Sequence, residues 1–77
     1  MKKVNPEKTI YTLVKEDAAI IPILVACGFD KITKKGMIET VGRLMTLSQG
    51  MTLRKIDQTM VKETFLAHGY IWEENHE

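Results

Sequence analysis

Apolar and polar positions alternate with a helical period along most of the chain. The first such segment follows Thr9. Its apolar residues, Ile10, Leu13 and Val14, fall at i, i+3 and i+4, the spacing that places side chains on one face of a helix. Thr9 has the side chain of an N-cap, so we expect a short helix that ends near Glu16. A helix this short is unstable by itself, which predicts that it packs against the rest of the chain.

The most apolar run occupies residues 17–29, and we expect the other segments to cover it. Asp17 is a candidate N-cap for a buried helix here, because its carboxylate can accept hydrogen bonds from the first free amides. Gly28 is a candidate C′ residue, because glycine enters the left-handed region without a Cβ clash. Pro22 removes one backbone donor in the second turn, which predicts either a slight bend or a late start of this helix.

Helical spacing returns over residues 37–45, where we expect a third helix. Gly42 lies inside it and costs roughly 1 kcal/mol against alanine, which indicates a closely packed neighbour. Residues 46–50 are typical of a turn, and Ser48 is the candidate cap of a short fourth helix. Asp57 is the candidate N-cap of a fifth helix over residues 58–68, and Gly69 is its candidate C′ residue.

The two halves of the chain share a pattern. The first half reads Thr9-Ile10-x-x-Leu13, then Asp17, then Cys27-Gly28-Phe29. The second half reads Thr52-Leu53-x-x-Ile56, then Asp57, then His68-Gly69-Tyr70. We therefore predict an all-α fold, a bundle of about five short helices in which the third lies between two pseudo-repeated helical hairpins. One domain spans residues 1–77, with an extended arm before Thr9 that rests Val4 on the core, an ordered core over residues 9–72 and a mobile tail over residues 73–77.

Length and composition exclude several classes of protein. A chain of 77 residues has one modest core and buries only about 60% of its unfolded surface, which favours association with a partner or with itself. Eleven basic and ten acidic residues give a net charge of +1, so no strong field attracts nucleic acid or membranes. No run reaches the roughly 18 apolar residues of a membrane span. With one cysteine and no signal-peptide pattern, we expect a cytoplasmic protein.

These residues resemble a known family. The pattern Thr-Ile-x-x-Leu, an apolar helix, Gly-Phe and a second Gly-aromatic stop resembles a small bacterial helical domain family of unknown function. That family is related to the hybrid-cluster-protein-associated redox disulfide domain. The resemblance covers residues 9–70 and implies an all-helical fold, found alone or joined to larger sensory or hemerythrin-like proteins. A narrower match, to a branch that lacks the redox cysteines, is carried by Met37-Ile38-x-Thr40-Val41-Gly42-Arg43-Leu44-Met45-Thr46.

The same resemblance also bears on the reactions that can be expected of this chain. Redox members of the family carry a Cys-x-x-Cys pair after the first Gly-Phe. Here that loop reads Asp30-Lys31-Ile32-Thr33-Lys34-Lys35. The resemblance therefore implies neither disulfide chemistry nor a catalytic residue for this chain.

The basic loop over residues 31–36 is the strongest candidate for a ligand site. It precedes the expected third helix, so its positive charges and the free amides of that helix can converge on a small anion. A solvated loop is the alternative, because no glycine-rich phosphate cradle accompanies the charges. The candidate anion-binding residues are Lys31, Lys34, Lys35, Gly36 and, as a clamp, Arg43.

Two further pairs of residues are candidate sites. Tyr70 and Trp72 either pack on the domain or form a partner-binding patch. Cys27 and His68 occupy matching helix ends, but a helix C-terminus disfavours a reactive thiolate, and two ligands without a third make a weak metal site. We therefore expect no metal, cofactor or catalytic residue.

The pattern favours a non-enzymatic interaction module that binds a protein partner or itself through an apolar surface near the second Gly-aromatic stop. The alternative is a small-molecule or anion sensor that uses residues 31–36 and the start of the next helix. A thiol or metal redox protein ranks third. Nucleic-acid binding is not expected, because residues 58–68 carry only Lys62 as a cation.

Overall fold

The computed structural model describes residues 2–73, and within them the fold is a small bundle of five α-helices with one short pair of strands. The all-α prediction is confirmed. Of the tail expected over residues 73–77, only Glu73 lies within the described residues. In chain order the elements are β1 (Lys2–Val4), α1 (Ile10–Glu16), α2 (Ile20–Ala26), a 3-10 helix (Asp30–Thr33), α3 (Val41–Leu44), α4 (Leu47–Arg54), α5 (Gln58–Ala67) and β2 (Tyr70–Trp72).

Helices α1 and α5 begin where their local capping residues place them. The Thr9 side chain accepts a hydrogen bond from the Thr12 amide at 3.1 Å, and the Asp57 carboxylate accepts one from the Thr59 amide at 3.1 Å. Helices α2 and α5 are each followed by a glycine with positive φ, 114° at Gly28 and 88° at Gly69. These glycines end the second helix of each hairpin without the strain that a Cβ would add.

Helix α2 starts later than an Asp17 cap would require. Its N-cap is Ala19, which makes no side-chain cap, and Asp17 instead ends α1. The Asp17 carboxylate still accepts a hydrogen bond from the Ala19 amide at 3.1 Å. The late start has a physical reason, because it places Pro22 in the first turn, where the missing donor breaks no hydrogen bond within the helix.

The third helix is much shorter than residues 37–45, for which a helix was predicted, because residues 37–40 form turns. The Thr40 amide and hydroxyl both donate to the Gly36 carbonyl, at 3.1 and 2.7 Å. The Gly42 amide donates to the Met37 carbonyl, five residues earlier, whereas a regular α-helix bonds four residues back. Gly42 does lie against a close neighbour. A Cβ there would sit 3.4 Å from the Tyr11 backbone nitrogen of α1.

Helix α4 is capped by Thr46 rather than Ser48. Thr46 and Gln49 form a capping box, in which each side chain accepts a hydrogen bond from the other residue's amide, at 3.0 and 2.9 Å. Thr46 also forms an antiparallel bridge with Thr9, so the N-caps of α1 and α4 lie side by side. Thr46 therefore holds the capping position that Thr9 holds in α1, whereas Thr52, the residue matched to Thr9 in the sequence pattern, lies inside α4.

Strands β1 and β2 form a parallel pair that helical periodicity does not predict. Lys2 is opposite Tyr70, and Val4 is opposite Trp72. The Glu73 amide extends the ladder by donating to the Val4 carbonyl at 2.7 Å. The pair brings the two ends of the described chain together and seats Val4, which is 2% exposed, in the core.

One apolar core joins both strands and helices α1, α2, α4 and α5. Phe65 lies at its centre, with edge-to-face contacts to Tyr70 and Trp72 at ring-centroid distances of 5.7 and 6.1 Å. The buried apolar residues are Val4, Ile10, Leu13, Val14, Ile20, Ile23, Leu24, Cys27, Phe29, Leu47, Met51, Val61, Phe65, Tyr70 and Trp72. None of the helices described over residues 2–73 has the length and apolar character needed to cross a bilayer.

Candidate functional site

Two leucines project into solvent at opposite ends of α4. Leu44, the last residue of α3, is 85% exposed, and Leu53, in the last turn of α4, is 67% exposed. A shallow groove of about 530 Å³ runs between them. We call it the α4 groove, and its lining residues are Leu44, Met45, Ser48, Gln49, Thr52 and Leu53.

The groove exists because α4 has apolar residues on two sides. Leu47, Gly50 and Met51 face the core. Gly50 permits a close approach there, since a Cβ would lie 3.0 Å from Cε1 of Phe29. Leu53 lies on the other side and is 67% exposed, so most of its apolar surface stays in water.

The polar side chains of the α4 groove are engaged within the chain. The Gln49 side chain belongs to the capping box. The Thr52 hydroxyl donates to the Ser48 carbonyl at 3.2 Å, and the Ser48 hydroxyl donates to the Glu7 carboxylate at 3.2 Å. With these groups occupied, the surface offers mainly hydrocarbon to a partner.

Among residues 2–73, no charged side chain lines the α4 groove, although arginines flank both leucines in sequence. The Arg43 guanidinium stacks over the Tyr11 ring at 4.4 Å and donates to the Tyr11 hydroxyl at 3.1 Å. Arg54 donates to the Asp30 carboxylate at 3.3 Å and to the Gly28 carbonyl at 3.4 Å. Both cations thus have partners outside the groove, whose centre is uncharged.

Sequence reasoning did not identify the α4 groove, and it placed the cap of α4 at Ser48. The observed cap at Thr46 adds Leu47 to the helix, on one face with Met51, whereas Gln49 and Leu53 are at i and i+4 with either cap. The sequence signal for the observed start of α4 is the capping box Thr46-x-x-Gln49.

The predicted anion site lacks two of the features on which it depended. Lys31, Lys34 and Lys35 are exposed, and Gly36 has a φ of 83°. The next helix begins only at Val41, so its N-terminus does not follow the lysines directly. The predicted clamp residue, Arg43, is held on Tyr11 instead. Anion binding by the lysines stays a prediction.

Tyr70 and Trp72 are core residues, 6% and 7% exposed, and they do not form an exposed partner-binding patch. The Tyr70 hydroxyl donates to the Asp17 carboxylate, which also pairs with the Lys2 ammonium at 3.1 Å. The hydrogen bond from Tyr70, followed by that from Lys2, lowers the pKa of Asp17. The same Asp17 bond raises the pKa of Tyr70 to about 12.

A cavity of about 370 Å³ borders this cluster. On its wall, Lys2 and Tyr70 both donate to the Asp17 carboxylate. These two hydrogen bonds connect β1 and β2 to the end of α1. The structure thus assigns Asp17 a tertiary role in addition to its local hydrogen bond.

Cys27 and His68 lie in different environments. Cys27 is buried at 3% exposure, and burial raises the pKa of its thiol, an effect that a hydrogen bond with Thr64 partly offsets. The His68 ring is exposed, and its Nδ1 hydrogen-bonds with the Thr64 carbonyl at 2.9 Å. Over residues 2–73, no three His, Cys, Asp or Glu side chains are grouped so that they could hold a metal ion.

Comparison with known proteins places the chain in a family. The profile of the family described as "Domain of unknown function (DUF1858)" matches residues 4–62, most of the sequence. The chain belongs to the DUF1858 family. The matched residues of this DUF1858 member include β1's Val4 and the complete α4 groove.

A solved structure supports the same fold. It is described as the crystal structure of the conserved domain protein from Streptococcus pneumoniae TIGR4, and it is 25% identical to this DUF1858 member. The two superpose with a TM-score of 0.91, over 99% of this chain and 96% of that chain. No curated protein matches the sequence.

Proposed function

We propose that this member of the DUF1858 family is a non-enzymatic interaction module that binds a protein through the α4 groove. The observation that carries the proposal is that Leu44 and Leu53, the two most exposed large apolar residues of the described chain, share one uncharged surface. Contiguous exposed apolar surface marks interaction sites, and the centres of protein interfaces are depleted in charge.

We also propose that the chain belongs to the branch of the family that lacks the redox cysteines, and that it works in the bacterial cytoplasm. The loop after Phe29 contains no cysteine, and the single thiol, Cys27, is buried. Both features favour a module that does not exchange disulfides, which fits a reducing compartment.

Site-specific photo-crosslinking tests the interaction. A benzophenone amino acid replaces Leu53 in the full chain, which is expressed in its native cells and irradiated. We expect one defined crosslinked product. The matched control carries the same probe at Leu66, which is 54% exposed on α5 and lies outside the α4 groove.

A second substitution makes the result specific to the groove. Leu44→Glu introduces a charge at the opposite end of the groove, and we expect it to abolish the product formed from position 53. Equal labelling from positions 53 and 66, or no product from position 53, would count against the α4 groove as the binding surface.

A further inference from the structure

We infer that the occupant of the α4 groove is a second copy of this chain, packed with its α4 antiparallel to the first across a two-fold axis. This inference rests on the proposed function, since it names the partner for the same groove. Two-fold dimers are the commonest assemblies of identical chains, and their interface must be complementary to itself.

The arrangement of the lining residues meets this requirement. Each has a counterpart at the same distance in sequence from the Ser48–Gln49 peptide bond, and the counterparts are chemically similar or compatible. Rotation about an axis near that bond places Leu44 of one copy against Leu53 of the other at both ends of the interface. The pairs are Leu44 with Leu53, Met45 with Thr52, and Ser48 with Gln49.

The charges permit two copies to approach. The chain has a net charge of only +1, so two copies repel each other weakly. No charged residue of the described chain lines the groove, although the Glu7 carboxylate accepts a hydrogen bond from Ser48 beside the axis. The same rotation brings Arg43 near Arg54 of the other copy, a contact that would be repulsive between free side chains. Both arginines are already bonded within their own chain, Arg43 to Tyr11 and Arg54 to Asp30.

The area of the interface sets the strength of the dimer. A standard interface covers about 800 Å² of each partner, and a contact confined to one shallow groove covers less. We therefore expect an equilibrium between monomer and dimer that shifts with concentration.

Sedimentation equilibrium of the purified full chain, at concentrations from about 10 μM to about 1 mM, measures this shift. The mass of the wild type should rise toward that of a dimer. Leu44→Ser with Leu53→Ser should raise the dissociation constant at least about tenfold, because each leucine is buried twice per dimer. The matched control, Leu66→Ser with Ile71→Ser, removes two exposed apolar residues elsewhere and should leave the constant unchanged. Circular dichroism checks that every variant is folded.

Cysteine crosslinking tests the direction of packing. A mixture of Leu44→Cys chains with Leu53→Cys chains should form a disulfide-linked dimer under mild oxidation, and Leu44→Cys chains alone should form far less. Abundant crosslinks from Leu44→Cys chains alone would overturn the antiparallel arrangement. A wild type that stays monomeric at the highest concentration would overturn self-association. The interaction module would still stand in that case if position 53 crosslinks to a different protein in cells.

Discussion

Gly50→Ala tests how closely α4 packs on the core. Gly50 lies in the middle of α4, where alanine is normally the better helix former. An added Cβ would lie 3.0 Å from Cε1 of Phe29, 3.3 Å from Sδ of Met45 and 3.5 Å from Cδ1 of Ile10. Phe29 is only 3% exposed, so its ring cannot move outward without disturbing its neighbours.

Two opposing contributions decide whether Gly50→Ala raises or lowers the free energy of unfolding. Replacing glycine by alanine in a helix interior stabilises by roughly 0.5 to 1 kcal/mol. Overpacking a tight core costs about 1 to 3 kcal/mol. The contact with Met45 is relieved by its flexible side chain, whereas the contact with Phe29 persists. We therefore expect a net destabilisation of about 1 to 2 kcal/mol, which lowers the Tm of a domain this small by about 4 to 16 °C.

Thermal and urea unfolding followed by circular dichroism, at a concentration where the chain is monomeric, measure the change. Thr52→Ala is the matched control, because it adds alanine to the exposed side of the same helix without a core contact. Phe29→Leu combined with Gly50→Ala should be less destabilising than the sum of the two single changes. A Gly50→Ala chain more stable than the wild type would refute the packing argument.

Two further predictions concern groups with shifted pKa values. Because its folded pKa of about 12 exceeds its ordinary value of 10.0, Tyr70 contributes stability that is complete below about pH 10 and lost as the pH rises through 12. Absorbance at the phenolate band in a Tyr11→Phe variant should show this midpoint, and a midpoint near 10 would contradict the Tyr70 to Asp17 hydrogen bond. The Cys27 thiol should react with a thiol reagent at neutral pH only after denaturation, because burial raises its pKa, and rapid labelling of the native chain would contradict that burial.

The elements that the sequence predicted best are those whose ends are set by residues close in sequence. Helix α1 and helix α5 each have a capping side chain, a helical period and, for α5, a glycine that ends it, so three signals agree within a few residues. The third helix was predicted too long, because residues 37–40 form turns in which the Gly42 amide bonds the Met37 carbonyl, five residues back, out of step with a regular helix. The pairing of β1 with β2 could not be predicted from the spacing of apolar residues, because each strand has only three residues and its partner lies at the other end of the described chain.

The candidate site was less predictable than the fold, for a related reason. Local signals favoured lysines and aromatic residues as the functional groups, but whether an aromatic side chain is exposed depends on contacts distant in sequence. Tyr70 is buried because β2 pairs with β1, a strand from the other end of the sequence. In this pairing the Tyr70 hydroxyl and the Lys2 ammonium both bond to the Asp17 carboxylate. Leu44 and Leu53 share a surface only because α4 begins at Leu47.

The parallel pairing of β1 with β2 also determines how the domain bears mechanical load. Tension between the two ends of the described chain pulls Lys2 and Trp72 in opposite directions along the strand axes. The hydrogen bonds of the ladder, including that from the Glu73 amide to the Val4 carbonyl, are then loaded in shear and share the force. In a strand pair this short, these hydrogen bonds must break together before the helices can unfold under the force.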